Sequence, residues 1–383
     1  MTGLSDPFNR PINYLRISVT DRCNLRCIYC LPPEGIRLLP YGEILNYEEI
    51  ATVARLAAEL GIKKVRLTGG EPLVRAKLSE LVAMLAEIDT IDDISLTTNG
   101  VLLKQYAGEL KRAGLKRVNV SLDSLNPDKF ERITRHRKLS DVLQGIEAAK
   151  TCGLHPVKVN MVVMRGINDD EIVDFAKLTI TEGWHLRFIE LMPFAMDNPP
   201  EGHSPRGKTN VHPQFMSADA VKERLGRLGE LEPSLPISGN GPAKYFRLPQ
   251  ANGTIGFITP VSQHFCFSCN RLRLTAEGKL RPCLLGDQEI DLRQPLRTGA
   301  SPEELKKSSP RLFNRSRKSI SYNKVRSLEN ASCLRWEVRH EFIFGYSDGG
   351  CRWKAGYCQA GCSQGQSFDA GKDSGPAKTK QIA

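Results

Sequence analysis

Three cysteines near the amino terminus stand where they could hold a metal cluster. The stretch Thr20-Asp21-Arg22-Cys23-Asn24-Leu25-Arg26-Cys27-Ile28-Tyr29-Cys30-Leu31 gives the spacing Cys-x3-Cys-x2-Cys. Three thiolates on one tight loop can each ligate one iron of a 4Fe-4S cube, which leaves the fourth iron open to a small molecule. A structural zinc site wants four ligands, usually closed as two pairs, and no second pair adjoins this loop. Reduced structural thiols are the remaining alternative. A second group lies far downstream in His264-Phe265-Cys266-Phe267-Ser268-Cys269-Asn270-Arg271-Leu272-Arg273, followed by Cys283. Its spacing is Cys-x2-Cys-x13-Cys, again one ligand short of four. Here zinc competes evenly, because His264 could close a zinc ribbon. Arg271 and Arg273 alternate along a strand-like run and so share one face. Two guanidiniums there suit a polyphosphate, although a solvated strand face would look the same.

The elements that must position these groups repeat. A short apolar strand at 14–19 feeds the first cysteine loop. A helix over 47–60, stopped by Gly61, leads to a strand at 64–68 that ends in Gly69-Gly70-Glu71-Pro72. Helix 76–88 precedes strand 93–98, which ends at Asn99-Gly100. Helix 101–113 precedes strand 117–122, which ends at Asp123-Ser124. Helices near 127–133 and 139–152 lead to strand 156–163, and helix 169–182 leads to strand 185–191. About six βα units specify a parallel sheet with right-handed crossovers. In such sheets chemistry sits at the carboxyl ends of the strands, where each glycine-rich or polar turn falls. Prolines 193, 199, 200, 205 and 213 then mark a linker, with one helix near 217–228. Short strands over 244–284 surround the second cysteine group.

Composition narrows the functional classes. The chain has 383 residues, 40% apolar and 25% charged, ordinary for a globular protein. Its net charge of +11 favours anionic partners such as nucleotides. The surplus is uneven: residues 301–383 hold 15 basic against 8 acidic residues. No apolar leader and no run of eighteen apolar residues is present, so a soluble intracellular protein is expected. Eleven cysteines in that setting point to metal or redox chemistry. His136, between Arg135 and Arg137, reads as solvated charge, and Cys152 as packing. Cys333, Cys351, Cys358 and Cys362 read as free thiols in a glycine-rich context, with metal ligation by Cys358-x3-Cys362 as the alternative. The Ser-, Gly-, Gln- and Lys-rich stretch after about residue 308 reads as disordered.

Taken in order, the cysteine loop, Gly69-Gly70-Glu71-Pro72, Thr97-Thr98-Asn99-Gly100, Asn119-Val120-Ser121-Leu122-Asp123, Val157-Lys158-Val159-Asn160, Arg187-Phe188-Ile189-Glu190 and Phe265-Cys266-x2-Cys269-Asn270-Arg271-Leu272-Arg273 resemble the GTP 3',8-cyclase family. These are radical S-adenosylmethionine (radical SAM) enzymes that begin molybdenum cofactor synthesis, and the likeness covers about residues 10–305. It implies an α/β fold, an incomplete (β/α)6 TIM-type barrel with a carboxyl-terminal region carrying a second cluster. The division would be an arm (1–13), the partial barrel (14–191), a linker and auxiliary-cluster region (192–307) and an atypical tail (308–383). It also implies two 4Fe-4S clusters, one on Cys23, Cys27 and Cys30, the other on Cys266, Cys269 and Cys283. Tyr29, Gly70, Ser121 and Met192 match the family's positions around S-adenosylmethionine. Arg16, Arg66, Thr97, Lys158, Arg271, Leu272 and Arg273 match its GTP contacts.

The implied reaction is cyclisation of GTP: a 5'-deoxyadenosyl radical takes a hydrogen from the ribose, and the ribose radical attacks carbon 8 of the guanine. Implied partners are GTP, a reducing electron donor and the downstream cyclic pyranopterin monophosphate synthase, with no nucleic acid or membrane. A homodimer is compatible, as is a cytoplasmic or organellar location. Where the family ends in two glycines, this chain ends Lys380-Gln381-Ile382-Ala383, and its Gly349-Gly350 pair is internal. The shift after about Lys307 reads as a frame change or alternative splicing, and reduced activity is expected from it. Two other readings compete: a radical SAM maturase with an auxiliary cluster, and a zinc-ribbon protein binding nucleic acid through its basic tail.

Overall fold

The computed structural model describes residues 4–5, 10–192, 213–237, 241–263, 265–284 and 288–305. The tail 308–383 with its four cysteines, His264 and the prolines of 193–205 lie outside the described residues. Strands β1 (Tyr14–Ser18), β2 (Lys64–Thr68), β3 (Asp93–Thr98), β4 (Arg117–Ser121), β5 (Lys158–Val163) and β6 (His185–Glu190) alternate with helices. Those helices are α1 (Tyr47–Glu59), α2 (Leu78–Ala86), α3 (Leu103–Arg112), α4 (Pro127–Thr134), α5 (Leu139–Thr151) and α6 (Ile172–Thr181). Then come α7 (Ala218–Leu225), β7 (Glu232–Pro233), β8 (Lys244–Arg247), β9 (Thr254–Ile258), β10 (Arg271–Leu274), β11 (Lys279–Arg281), β12 (Ile290–Asp291) and α8 (Arg293–Arg297).

Local chemistry sets the boundaries. Helix α1 begins with a capping box: Asn46 Oδ1 accepts from the Glu49 amide at 2.7 Å, and the Asn46 amide donates back to the Glu49 carboxylate at 2.8 Å. Helix α4 starts on Pro127, with Asn126 accepting from the amides of Asp128 and Lys129 at 3.0 Å each. Strand β5 starts two residues later than the sequence pattern suggests, after Pro156, which has no amide to give a ladder. The first turn of the helix expected at 169–182 is a 3-10 turn, Asp169–Glu171.

All strands belong to one sheet in the order β12-β11-β10-β1-β2-β3-β4-β5-β6-β9-β8-β7. Neighbours from β10 through β1–β6 to β9 run parallel, and antiparallel strands extend both margins. The carboxyl-terminal strands therefore complete the barrel sheet: β9 adds to β6 and β10 adds to β1, at opposite edges. Leu15, Ile17, Val65, Leu67, Leu96, Val120, Val159 and Leu186 turn to the helices and form a continuous buried core. The other face is polar and concave. Arg66 on β2 and Arg187 on β6 act on each other's charge although three strands lie between them, which a flat sheet would not allow. No described helix is long and apolar enough to cross a membrane.

Candidate active site

The first cysteine loop leaves the end of β1 and is braced from two sides. On its inner side the Gly70 amide donates to the Thr20 carbonyl and the Glu71 amide to the Arg22 carbonyl, both at 2.8 Å. Gly69 has φ +149°, and a Cβ there would stand 2.7 Å from the Thr20 oxygen, so only glycine lets the two turns approach this closely. The buried Glu71 carboxylate accepts from Thr98 Oγ1 (2.7 Å), the Asn99 amide (2.6 Å) and the Leu73 amide (3.1 Å). Burial raises its pKa to about 7, opposed by those hydrogen bonds. Asn99, so fixed, donates through Nδ2 to Asn24 Oδ1 at 2.7 Å and faces Cys23 Sγ at 4.0 Å. On the outer side the amides of Arg26 and Ile28 donate to the last carbonyls of α4, Thr134 (3.0 Å) and Ile133 (2.8 Å). Arg135, in the left-handed region at φ +61°, reaches back to the carbonyls of Arg26 (2.5 Å) and Leu31 (3.1 Å).

The three thiols share one pocket. Burial raises the Cys27 thiol far above its ordinary pKa, and the charges of Cys30, Asp123 and Cys23 push the same way. Burial and then Glu71 push Cys23 up to about 12. Thiols in mutual electrostatic contact release their protons only to a strong cationic centre. Among the described residues no three His, Cys, Asp or Glu side chains converge as they would around one ion. A cube fits this loop, since it takes each thiolate on a separate iron. The Tyr29 hydroxyl donates to Asp123 Oδ2 at 2.6 Å, and Asp123 Oδ1 accepts from the Val162 amide at 2.8 Å. Burial raises Asp123 to about 6. Tyr29, Gly70, Ser121 and Met192 are half-buried, on the loop after β1 and at the ends of β2, β4 and β6.

Below this rim the concave face is strongly cationic. The register aligns Arg281, Arg273, Arg16 and Arg66 on four neighbouring strands, and Arg271 opposite Tyr14. Arg271 and Arg273 are buried, which removes the solvated-face alternative. Lys158, Arg117 and Arg187 add further buried cations; Arg187 donates to Asn119 Oδ1 at 2.5 Å. Asp93 answers Arg117 through two contacts, and Glu289 answers Arg281 at 2.7 Å. Burial, with Arg187, Arg117 and Arg66 around it, pulls the Lys158 ammonium down to about 6. Burial pulls Arg66 down to about 9, against the attraction of Tyr14. Such crowding is costly unless a multiply charged anion relieves it. Thr97 lies on β3 in register with Asn119. Leu272 differs: its side chain is packed in the core on the other face, so it can offer a ligand only its backbone.

The second cysteine group is assembled from separate pieces. Cys266 lies in a 3-10 turn and is exposed, whereas Cys269 and Cys283 are half-buried. Arg10 donates to the Cys266 carbonyl, and Asn270 Nδ2 donates to Asn13 Oδ1 at 2.8 Å. Buried Glu190, at the end of β6, accepts from the amides of Ala218 (3.0 Å), Val261 (3.1 Å) and Ser262 (2.9 Å) and from the Ser262 hydroxyl. It thereby fixes the start of the segment that carries Cys266 and Cys269. Asp123, Glu190, Arg117 and Arg281 were given no role from sequence, and Glu71 only as part of the Gly69-Gly70-Glu71-Pro72 turn, whose backbone or carboxylate could hold an ammonium. The signal for the acids was a carboxylate at or just beyond the end of an apolar strand run.

This curved parallel sheet with a three-cysteine loop after its first strand defines a radical SAM enzyme. The family model described as the radical SAM superfamily matches residues 17–179, and that described as Molybdenum Cofactor Synthesis C matches 184–321. The chain is 54% identical over 303 residues to a GTP 3',8-cyclase of Desulforamulus reducens, covering 79% of this chain and 90% of that one. It is 55% identical over 302 residues to a GTP 3',8-cyclase of Pelotomaculum thermopropionicum, with the same shares covered. The chain belongs to the GTP 3',8-cyclase family. The maturase and nucleic-acid readings give way to that membership. The fold is also similar to Streptococcus suis SuiB solved with S-adenosylmethionine, at TM-score 0.52 and 14% identity, covering 86% of this chain and 72% of that one.

Proposed function

We propose that this chain cyclises GTP to (8S)-3',8-cyclo-7,8-dihydroguanosine 5'-triphosphate by radical SAM chemistry, the first step of molybdenum cofactor synthesis. The observation that carries this is the row of buried and half-buried guanidiniums on the same concave face that has a three-cysteine group at its rim. Cys23, Cys27 and Cys30 hold one 4Fe-4S cluster, and Cys266, Cys269 and Cys283 the other. When bound, these groups supply a reducing electron to S-adenosylmethionine and an open iron to the guanine. Tyr29, Gly70, Ser121 and Met192 line the S-adenosylmethionine position. Arg16, Arg66, Lys158, Arg271 and Arg273 neutralise the triphosphate, Thr97 offers it a hydroxyl, and Leu272 a backbone group. The enclosed polar face keeps water from a reactive radical. We assign the electron to an external donor and the product to cyclic pyranopterin monophosphate synthase, in a cytoplasmic or organellar setting. The barrel at 14–191 and the second-cluster region at 192–307 act as one catalytic unit.

The test is anaerobic reconstitution with iron and sulfide, followed by product analysis with GTP and S-adenosylmethionine. About eight irons per chain and a cyclised nucleotide are expected. Stoichiometric zinc on Cys266, Cys269 and Cys283 would overturn the second-cluster assignment.

A further inference from the structure

Arg117, the first residue of β4, is 2% exposed and is gripped from one side. Asp93, the first residue of β3, accepts from its Nε at 3.0 Å and also from its Nη2. Nη1 is buried and has no hydrogen-bond partner among the described residues. A two-point grip of this kind fixes the guanidinium plane, so Nη1 is aimed in a set direction. The charges around it show which one. Arg117 acts on Arg66, Lys158 and Arg187, all three on the concave face. The acid that answers this group is Asp93, which acts on Lys158 as well. A buried arginine that served only as a strand-end ion pair would need no such company, and the crowding gains from an anion of more than one charge.

The register gives Arg117 its place in a line. Arg273 on β10 stands in register with Arg16, Arg16 with Arg66, Arg66 with Ser95 and Ser95 with Arg117. Arg66 Nε donates to the Ser95 hydroxyl at 3.2 Å, so the line stays polar across β3. Four strand steps of about 4.8 Å put Arg117 about 19 Å from Arg273 along the sheet, and nearer across its curve. The line starts on the strand that follows Cys266 and Cys269 and ends at Arg117. A nucleotide whose base lies at the second cysteine group must lay its phosphates along this line in order, and the last of them reaches Arg117. That last phosphate, with a second ionisation at about pH 6, carries more charge than an inner one.

We propose that Arg117, positioned by Asp93, binds the terminal phosphate of GTP and makes the site select a nucleoside triphosphate over the diphosphate. The inference rests on the cyclase reading above. Arg271 and Arg273, at the other end of the line, meet phosphates that a diphosphate also has.

Affinity for GTP, GDP and GMP is measured by calorimetry on the anaerobic holoenzyme. The wild type should bind GTP about tenfold or more tightly than GDP. Arg117→Lys keeps a cation for Asp93 but cannot hold the carboxylate and a phosphate together. Arg117→Met/Asp93→Asn removes both charges, so no buried carboxylate is left unpaired. Each variant should weaken GTP by about ten- to a hundredfold and GDP by less than about threefold, which brings the two affinities together. Arg273→Ala should instead weaken GTP and GDP alike and keep their ratio near the wild-type value. Equal affinity for GTP and GDP in the wild type would overturn the proposal without any variant. So would an unchanged ratio in the Arg117 variants, the result expected if Arg117 only supports the fold. A wild type that binds GTP selectively but forms no cyclised nucleotide would overturn the cyclase reading and leave the phosphate assignment standing.

Discussion

The two cysteine groups solve the same ligation problem by opposite means. The first lies within one loop, and its supports are turns at the ends of neighbouring parallel strands: Glu71 and Asn99 on one side, the carbonyls of α4 on the other. The second takes two sulfurs from a segment crossing between sheet edges and one from the end of β11, and leans on the arm residues Arg10 and Asn13. A site made by one loop can be preformed by local structure. A site made by distant pieces exists only once the whole sheet is assembled. The first group should therefore survive damage to the second, but not the reverse.

The sharpest break of that contrast removes one sulfur from each. Cys27→Ala should abolish reductive cleavage of S-adenosylmethionine. Cys269→Ala should spare cleavage and abolish GTP cyclisation. Equal loss of cleavage in two well-folded variants would mean that the groups are not separable. Next in size is Glu190→Ala, which strips a buried acceptor from three amides and a hydroxyl. A stability loss of about 3 kcal/mol or more is expected by chemical denaturation, with iron lost from the second group first; iron lost from both in parallel would contradict the contrast. Arg271→Ala and Arg273→Ala should each weaken GTP binding by about ten- to a hundredfold, with little change for S-adenosylmethionine. Calorimetry with each ligand reads this directly.

The smallest effect concerns protons. Lys158, with its pKa pulled down to about 6, is largely neutral at pH 8 in the free protein. A triphosphate beside it favours the charged form, so binding at pH 8 should take up about one proton. GTP affinity should consequently fall as pH rises above 6. Calorimetry in buffers of different ionisation enthalpy measures the uptake, and Lys158→Met should remove it.

Much of this was readable in the chain because it is local. The βα periodicity places β3 and all the turns at strand ends, and the alternation of Arg271 and Arg273 puts them on one face. Leu272 between them necessarily faces the core, a consequence of the same alternation. What the chain did not disclose is long-range. Nothing in residues 254–258 or 271–274 says that one run pairs with β6 and the other with β1, because strand partners are chosen by the whole sheet. The hub roles of Glu71 and Glu190 escaped for a related reason: a carboxylate becomes a hub only when amides from distant turns arrive around it.

That edge pairing bears on how the protein is made. Residues 14–190 contain every barrel strand from β1 to β6, yet the partners of the two outermost, β10 and β9, follow in the last part of the described chain. A nascent chain leaving the ribosome would thus hold the β6 edge unpaired until residue 258 had emerged, and the β1 edge until residue 274. Open edges are templates for pairing with other chains, and contacts between residues 14 and 271 are slow to form. Synthesis halted before β9 should yield a sticky intermediate rather than a smaller working enzyme, so the strands that complete the sheet also end its exposure to aggregation.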